Sequence, residues 1–155
     1  MQVRVHSVVA APPATVFAVT TEIGSWPETI RAIEHVEILT PGPVGVGTRF
    51  RETRTMFGKT ATEEMTVAEL DPPHRLVLTA YNHGTAYRAE HVFAREGDGT
   101  DLTLTFAGVP QSLLARLLAP IGYLMLGALR RQLASDLADL AREAERRHGQ
   151  ASASR

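Results

Sequence analysis

Six histidines, no cysteine and 17 carboxylates make up the reactive inventory of this chain, and His91 is the most informative of them. Between positions 85 and 95, Tyr87, Ala89, His91 and Phe93 alternate with Arg88, Glu90 and Ala94. That period of two sends the first set to the buried face of a strand. An imidazole in mid-strand among apolar groups, titrating near neutral pH, can serve as a hydrogen-bond partner for a ligand or as a general acid/base. The plainer reading is a core histidine satisfied by a neighbour. Tyr87, on the same face, presents its hydroxyl to the same space or wedges into the core with the hydroxyl at the rim.

A second group lies in the strand 48–57, where Phe50 and Met56 set the even positions inward and carry Glu52 and Arg54 with them. A buried carboxylate beside a guanidinium requires pairing, so Glu52 and Arg54, with Glu64 from the adjoining strand, form a polar patch able to orient a carbonyl or phenol. Arg49, Arg51 and Glu63 charge the other side of this hairpin as well, so a solvated face of mixed charge is the competing reading. Trp26 either stacks on an aromatic ligand at a cavity mouth or plugs the local core beside Pro27.

Several chemistries lack their residues. Without cysteine there are no disulfides and no thiolate nucleophiles or metal ligands. His6, His35, His74, His83 and His148 are scattered over edges and loops without metal-site spacing, so no metal is expected. No nucleophile elbow, phosphate-binding glycine loop or dinucleotide fingerprint occurs, and no cofactor is expected. Sixteen Lys plus Arg against 17 Asp plus Glu give no electrostatic case for nucleic acid. Residues 1–10 lack the apolar stretch of a signal peptide, which makes the cytoplasm the expected location.

The elements that must position these groups read as follows. A strand over 3–9 ends at Ala11-Pro12-Pro13, and two short helices occupy roughly 14–33. Strands follow over 36–39, 48–57, 59–70, 75–81, 85–95 and 102–109, separated by Pro- and Gly-rich turns with tight hairpins at Gly58, at Asn82-His83-Gly84 and at Gly97-Asp98-Gly99. Short connections make successive strands antiparallel neighbours. In the last strand Leu102, Leu104 and Phe106 face inward and Thr103 and Thr105 outward.

From Ser112 to His148 apolar residues recur every three and four positions, predicting one long helix that the sheet must cover. Its second half is amphipathic, with Asp136 and Asp139 among its wet residues. Its first half, Leu113 to Leu129, is apolar nearly all round and interrupted by Arg116, Pro120, Gly122 and Gly127. This stretch is too short and broken for a bilayer crossing and is expected inside the protein, with Pro120 as its kink or true start. Residues 149–155 read as a disordered tail, and 1–148 as a single domain. One helix, about 10 Å wide, cannot fill the concavity of a seven-stranded sheet, so a cavity beside it is expected.

Ala11-Pro12-Pro13-Ala14-Thr15-Val16-Phe17, Ile23-Gly24-Ser25-Trp26-Pro27-Glu28, Gly45-Val46-Gly47-Thr48-Arg49-Phe50, Leu70-Asp71-Pro72-Pro73-His74-Arg75-Leu76 and Gly97-Asp98-Gly99-Thr100-Asp101-Leu102, in that order before an Arg-rich terminal helix, resemble the START-like or Bet v 1-like superfamily. Within it the chain is similar to the bacterial polyketide cyclase/dehydrase family, over nearly its whole length to about residue 147. The resemblance implies an α+β helix-grip fold: a seven-stranded antiparallel sheet wrapped around a long C-terminal helix, with two short helices after the first strand and an internal apolar cavity.

These are fold markers, and they leave the chemistry open. Expected in the cavity wall are Trp26, Phe50, Glu52, Met56, Glu64, Ala89, Phe93, Leu104 and Phe106, with Leu117, Ile121, Leu124 and Met125 from the helix. The first functional reading is a binding protein for a small apolar or aromatic molecule, such as a polyketide, lipid or isoprenoid-like compound. A second is an aromatase/cyclase or dehydratase using His91, Tyr87 or Arg54. A third is a lipid carrier contacting a membrane or partner through 113–129, although a membrane is not the expected partner. The expected assembly is a monomer or weak homodimer.

Overall fold

The computed structural model describes residues 1–155. Strand β1 (Gln2–Val9) is followed by helix α1 (Pro13–Thr21), a 3-10 turn (Ile23–Ser25) and helix α2 (Trp26–Thr29). Six strands then run without a helix between them: β2 (Ile33–Ile38), β3 (Arg49–Met56), β4 (Lys59–Asp71), β5 (Arg75–Asn82), β6 (Thr85–Glu96) and β7 (Gly99–Pro110). All pairings are antiparallel, in the order β1-β7-β6-β5-β4-β3-β2, so a meander is closed at its far edge by the first strand. Two hairpins close through two-residue turns with both φ values positive, Phe57-Gly58 and His83-Gly84. That mirror-image turn matches the right-handed twist of the flanking strands. At Gly84 packing adds a second requirement, because a Cβ there would sit 2.1 Å from Ser112 Oγ.

The terminal segment departs from the single helix that its periodicity predicts. It forms α3 (Leu113–Leu124) and α4 (Leu126–Ala153), bent by 72° at Met125. Pro120 lies inside α3 and is neither its kink nor its start. Gly122, a poor helix former, lies in the last turn before the break and weakens the ladder there. The break follows where the Met125 amide donates back to Gly122 O at 3.1 Å. Helix α4 then continues through Gly149 to Ala153, so the expected disordered tail is largely helical. Nothing in 149–153 stops the ladder, and the Ser154 hydroxyl donates to Gln150 O at 2.8 Å.

The larger correction concerns α3. Its composition places it inside the protein, yet Leu113, Leu114, Leu117, Leu118, Ile121, Tyr123 and Leu124 are all exposed. Its first turn is pinned to the β5–β6 hairpin, with Gly84 O accepting from the amides of Gln111 and Ser112, and Ser112 Oγ accepting from Ala115. The 72° bend then turns the remainder away from the core that α4 joins. No single helix is long and apolar enough to cross a membrane.

Helix α4 buries Leu133, Leu137, Leu140, Ala141 and Ala144 and packs mainly along β1 and α1 rather than over the middle of the sheet. Ala11, Val16, Phe17, Val19 and Ile23 continue this core, with Phe17 edge-on to Phe93 at 5.2 Å. Because α4 lies toward the β1 edge, the concave face of β3 to β7 is covered only in part. The gap is the cavity.

Candidate functional site

That gap is a cavity of about 330 Å³, lined by 24 residues of which 18 are hydrophobic. Its walls come from elements distant in sequence. Strand β6 supplies Tyr87, Ala89 and His91, and β7 supplies Leu104 and Phe106, which pair with His91 and Ala89 across the ladder. Trp26, Ile30 and Ile33 close one end, Leu133, Leu137 and Leu140 form the α4 side, and Met56, Phe57, Gly122 and Met125 stand at the exposed end.

Among apolar walls sits one charged cluster. Arg54 Nε donates to Glu52, and Arg54 Nη1 donates to Asp136 Oδ2 at 2.8 Å, linking β3 to α4. Gln132 Nε2 donates to the other Asp136 oxygen at 3.1 Å. Burial pushes the Glu52 carboxyl above its ordinary range, and the Arg54 charge offsets that only in part. Asp136 is raised for the same reason, against the opposing pull of Arg54 and Gln132. Burial works against the Arg54 charge too, but Glu52 and Asp136 outweigh it and raise its pKa. Glu63 adds a third carboxylate to the wall and accepts from Asn82 Nδ2 at 3.0 Å. With one cation among three carboxylates, this end of the cavity attracts hydrogen-bond donors.

His91 is 7% exposed, and its Nδ1 is buried without a hydrogen-bond partner. Burial holds its pKa down at about 4, offset only in part by the Leu76 backbone, so the ring is neutral at pH 7. His91 lines the cavity, while its orphaned Nδ1 is itself shut off from accessible space. Tyr87 stacks on Phe106, with ring centroids 5.6 Å apart, and turns one edge to the same space.

Of the residues expected in the wall, Trp26, Glu52, Arg54, Met56, Tyr87, Ala89, His91, Leu104, Phe106 and Met125 lie there. Trp26 is also a structural plug, donating from Nε1 to Thr20 O at 3.0 Å and meeting Phe50 edge-on at 5.5 Å. Six others do not line it. Phe50 and Phe93 are buried in the core behind the wall, against Trp26 and Phe17. Glu64 points to the outer face and accepts from Arg49 Nη1 at 2.8 Å. The two-residue turn pairs Met56 with Lys59, hence Glu52 with Glu63, and Glu63 is the inward carboxylate. Leu117, Ile121 and Leu124 are exposed on α3, carried away by the bend.

Asp136, read as a wet residue, is the one that sequence reasoning most missed. Its spacing from Leu133 and Leu140 placed it on the buried stripe, a signal visible in the sequence. Asp139 is likewise buried rather than wet, accepting from the Arg31 backbone amide at 2.9 Å and from Arg31 Nε and Arg142.

A curved seven-stranded antiparallel sheet gripping a C-terminal helix over an apolar cavity is the helix-grip architecture of START-like, Bet v 1-like proteins. Residues 1–145 match the family described as "Polyketide cyclase / dehydrase and lipid transport", and the chain belongs to that family. Among solved structures it is similar to the Zhui aromatase/cyclase from Streptomyces sp. R1128, at 21% identity and TM-score 0.77, covering 95% of this chain and 94% of that one. It is also similar to TTHA0849 from Thermus thermophilus, at 21% identity and TM-score 0.75, covering 93% and 97%. Ara h 8.0201 shares the fold at 18% identity and TM-score 0.61, covering 91% and 98%. At such identities these likenesses establish the fold. No curated protein matches the sequence.

Proposed function

We propose that the protein binds one small, largely apolar molecule, polyketide-, lipid- or isoprenoid-like, in the cavity between sheet and α4. The observation that carries this reading is a roughly 330 Å³ space whose apolar walls converge on a single buried charged cluster, Glu52–Arg54–Asp136. Apolar walls supply affinity, about 25 cal/mol per Å² of apolar surface removed from water, and a few placed polar groups supply orientation. A ligand hydroxyl or enol would donate to the Glu52 or Asp136 carboxylate, and a carbonyl would accept from Arg54. The test is native mass spectrometry of protein purified gently from its own organism and then incubated with apolar and aromatic candidates. A stoichiometric adduct supports the reading, whereas a persistent apo mass against the whole panel overturns it.

A second reading rests on His91. The family includes cyclases and dehydrases, and a neutral imidazole on the wall of an apolar cavity can take a proton from a bound carbon acid or hydroxyl. Its low pKa makes it a weak base alone. The Arg54 guanidinium would have to stabilise the enolate formed beside it, with positioning of the folded chain as the larger contribution. Under this reading His91→Ala abolishes cyclisation or water loss of a poly-β-keto substrate while ligand binding persists. Equal turnover by the variant removes it.

A further inference from the structure

Helix α3 displays more apolar surface than any other element, and this surface is independent of the cavity's contents: Leu117 is 75% exposed, Leu124 86% and Ile121 58%. Large exposed apolar patches mark surfaces that another phase or partner covers. Charge says which. Between Asp101 and Asp136 the chain has no carboxylate and three arginines, Arg116, Arg130 and Arg131. None of the three makes an ion pair, Arg130 donating only to the Arg4 carbonyl oxygen at 2.8 Å, whereas most of the other arginines hold a carboxylate. Lys59, the one lysine, is also unpaired and sits beside the exposed Phe57 at the tip of the β3–β4 hairpin.

Both apolar features adjoin the cavity, whose lining includes Phe57 of the hairpin tip as well as Gly122 and Met125 of the α3–α4 bend. The same segment of a second copy would bring Arg116 and Arg131 but no carboxylate to pair with them, whereas an anionic lipid headgroup would neutralise them.

We propose that α3 and the Phe57 hairpin tip form a docking surface for an anionic lipid bilayer, with α3 lying in the interfacial plane and the cavity mouth turned toward the lipid. The 12-residue helix is too short to span, and the 72° bend prevents α4 from extending it. An apolar helix with flanking cations suits the headgroup–acyl boundary. Docking goes beyond the ligand-binding reading, since it would hold for an empty cavity.

The test is flotation of the whole protein with vesicles of phosphatidylcholine alone and of phosphatidylcholine mixed with phosphatidylglycerol. The wild-type chain is expected to float with the mixed vesicles, less with the neutral ones, and to be released by salt. Leu117→Glu with Leu124→Glu, at sites that touch no core, should abolish flotation. Should that variant misfold, Arg116→Ser and Arg131→Ser provide the check, each weakening binding about fivefold. A chain that stays unbound to both vesicles overturns the proposal, as does flotation unchanged in the glutamate variant. A wild-type dimer that ignores vesicles and becomes monomeric in that variant also overturns it, assigning the face to a second copy. Apolar-dye binding in the cavity, followed in the same samples, reports the ligand reading separately.

Discussion

Arg54 on β3 and Asp136 on α4, 82 positions apart in sequence, are joined by a 2.8 Å hydrogen bond that ties the sheet to the helix across the cavity. Glu52 completes the cluster on the other side of the guanidinium. Removing the cation leaves two buried carboxylates facing each other. Arg54→Met is therefore expected to destabilise the fold by about 3–5 kcal/mol at neutral pH. Carboxyls with raised pKa bind protons in the native state before the unfolded chain does, so the loss should shrink as pH falls. The triple variant Arg54→Met, Glu52→Gln, Asp136→Asn should recover most of the stability at pH 7. Urea denaturation of the three proteins across pH 4.5 to 8 is the check, and a pH-independent loss in Arg54→Met would contradict the account.

His91 has the opposite sign. Its native pKa of about 4 lies below its unfolded value, so the unfolded chain binds a proton that the folded one refuses. The histidine leaves stability intact above the unfolded pKa and removes it as pH falls toward 4. In His91→Leu that part of the acid sensitivity should vanish. Because the substitution also removes an unpartnered buried nitrogen, stability at pH 7 should equal or exceed wild type. The two denaturation curves should coincide or favour the variant at pH 7 and diverge further below pH 6. A variant less stable than wild type at pH 7 would mean that Nδ1 has a partner.

The strand faces were legible because alternation in β6 and β7 is clean, and Tyr87, Ala89, His91, Leu104 and Phe106 followed from it. Strand β4 is not clean: Thr62, Glu63 and Glu64 are polar in succession, and only the parity imposed by the Phe57-Gly58 turn selects Glu63. The bend at Met125 was not legible, since the three-four periodicity runs through it unbroken. Periodicity reports which residues share a face and says nothing of where a kinked helix then points. For that reason Leu117, Ile121 and Leu124 were expected in the cavity.

Asp139 shows the same limit. It reads as a wet residue of its helix, but its buried carboxylate holds the Arg31 amide just before β2. Asp139→Ala leaves that amide unsatisfied and should cost about 2–3 kcal/mol in thermal or urea denaturation. Asp139→Asn, whose carbonyl oxygen can still accept from Arg31, should cost clearly less. Equal losses would mean that the charge, not the backbone contact, is what matters.

Filling the cavity separates its binding role from its part in folding. Ala89 faces Phe106 across the ladder and lines the cavity at the edge of the packed core. Ala89→Phe would occupy much of that space without a clash requiring the backbone to move. Overpacking destabilises well-filled cores by about 1–3 kcal/mol, whereas filling an existing gap adds contacts. Thermal stability should therefore be kept or raised, while affinity for an apolar fluorescent dye falls by about tenfold or more as its buried area is lost. Arg54 and Asp136 keep their bond in this variant, so the effect reads volume alone. Stability lost together with dye binding would mean that side chains already fill the space, and the cavity would then have no ligand to hold.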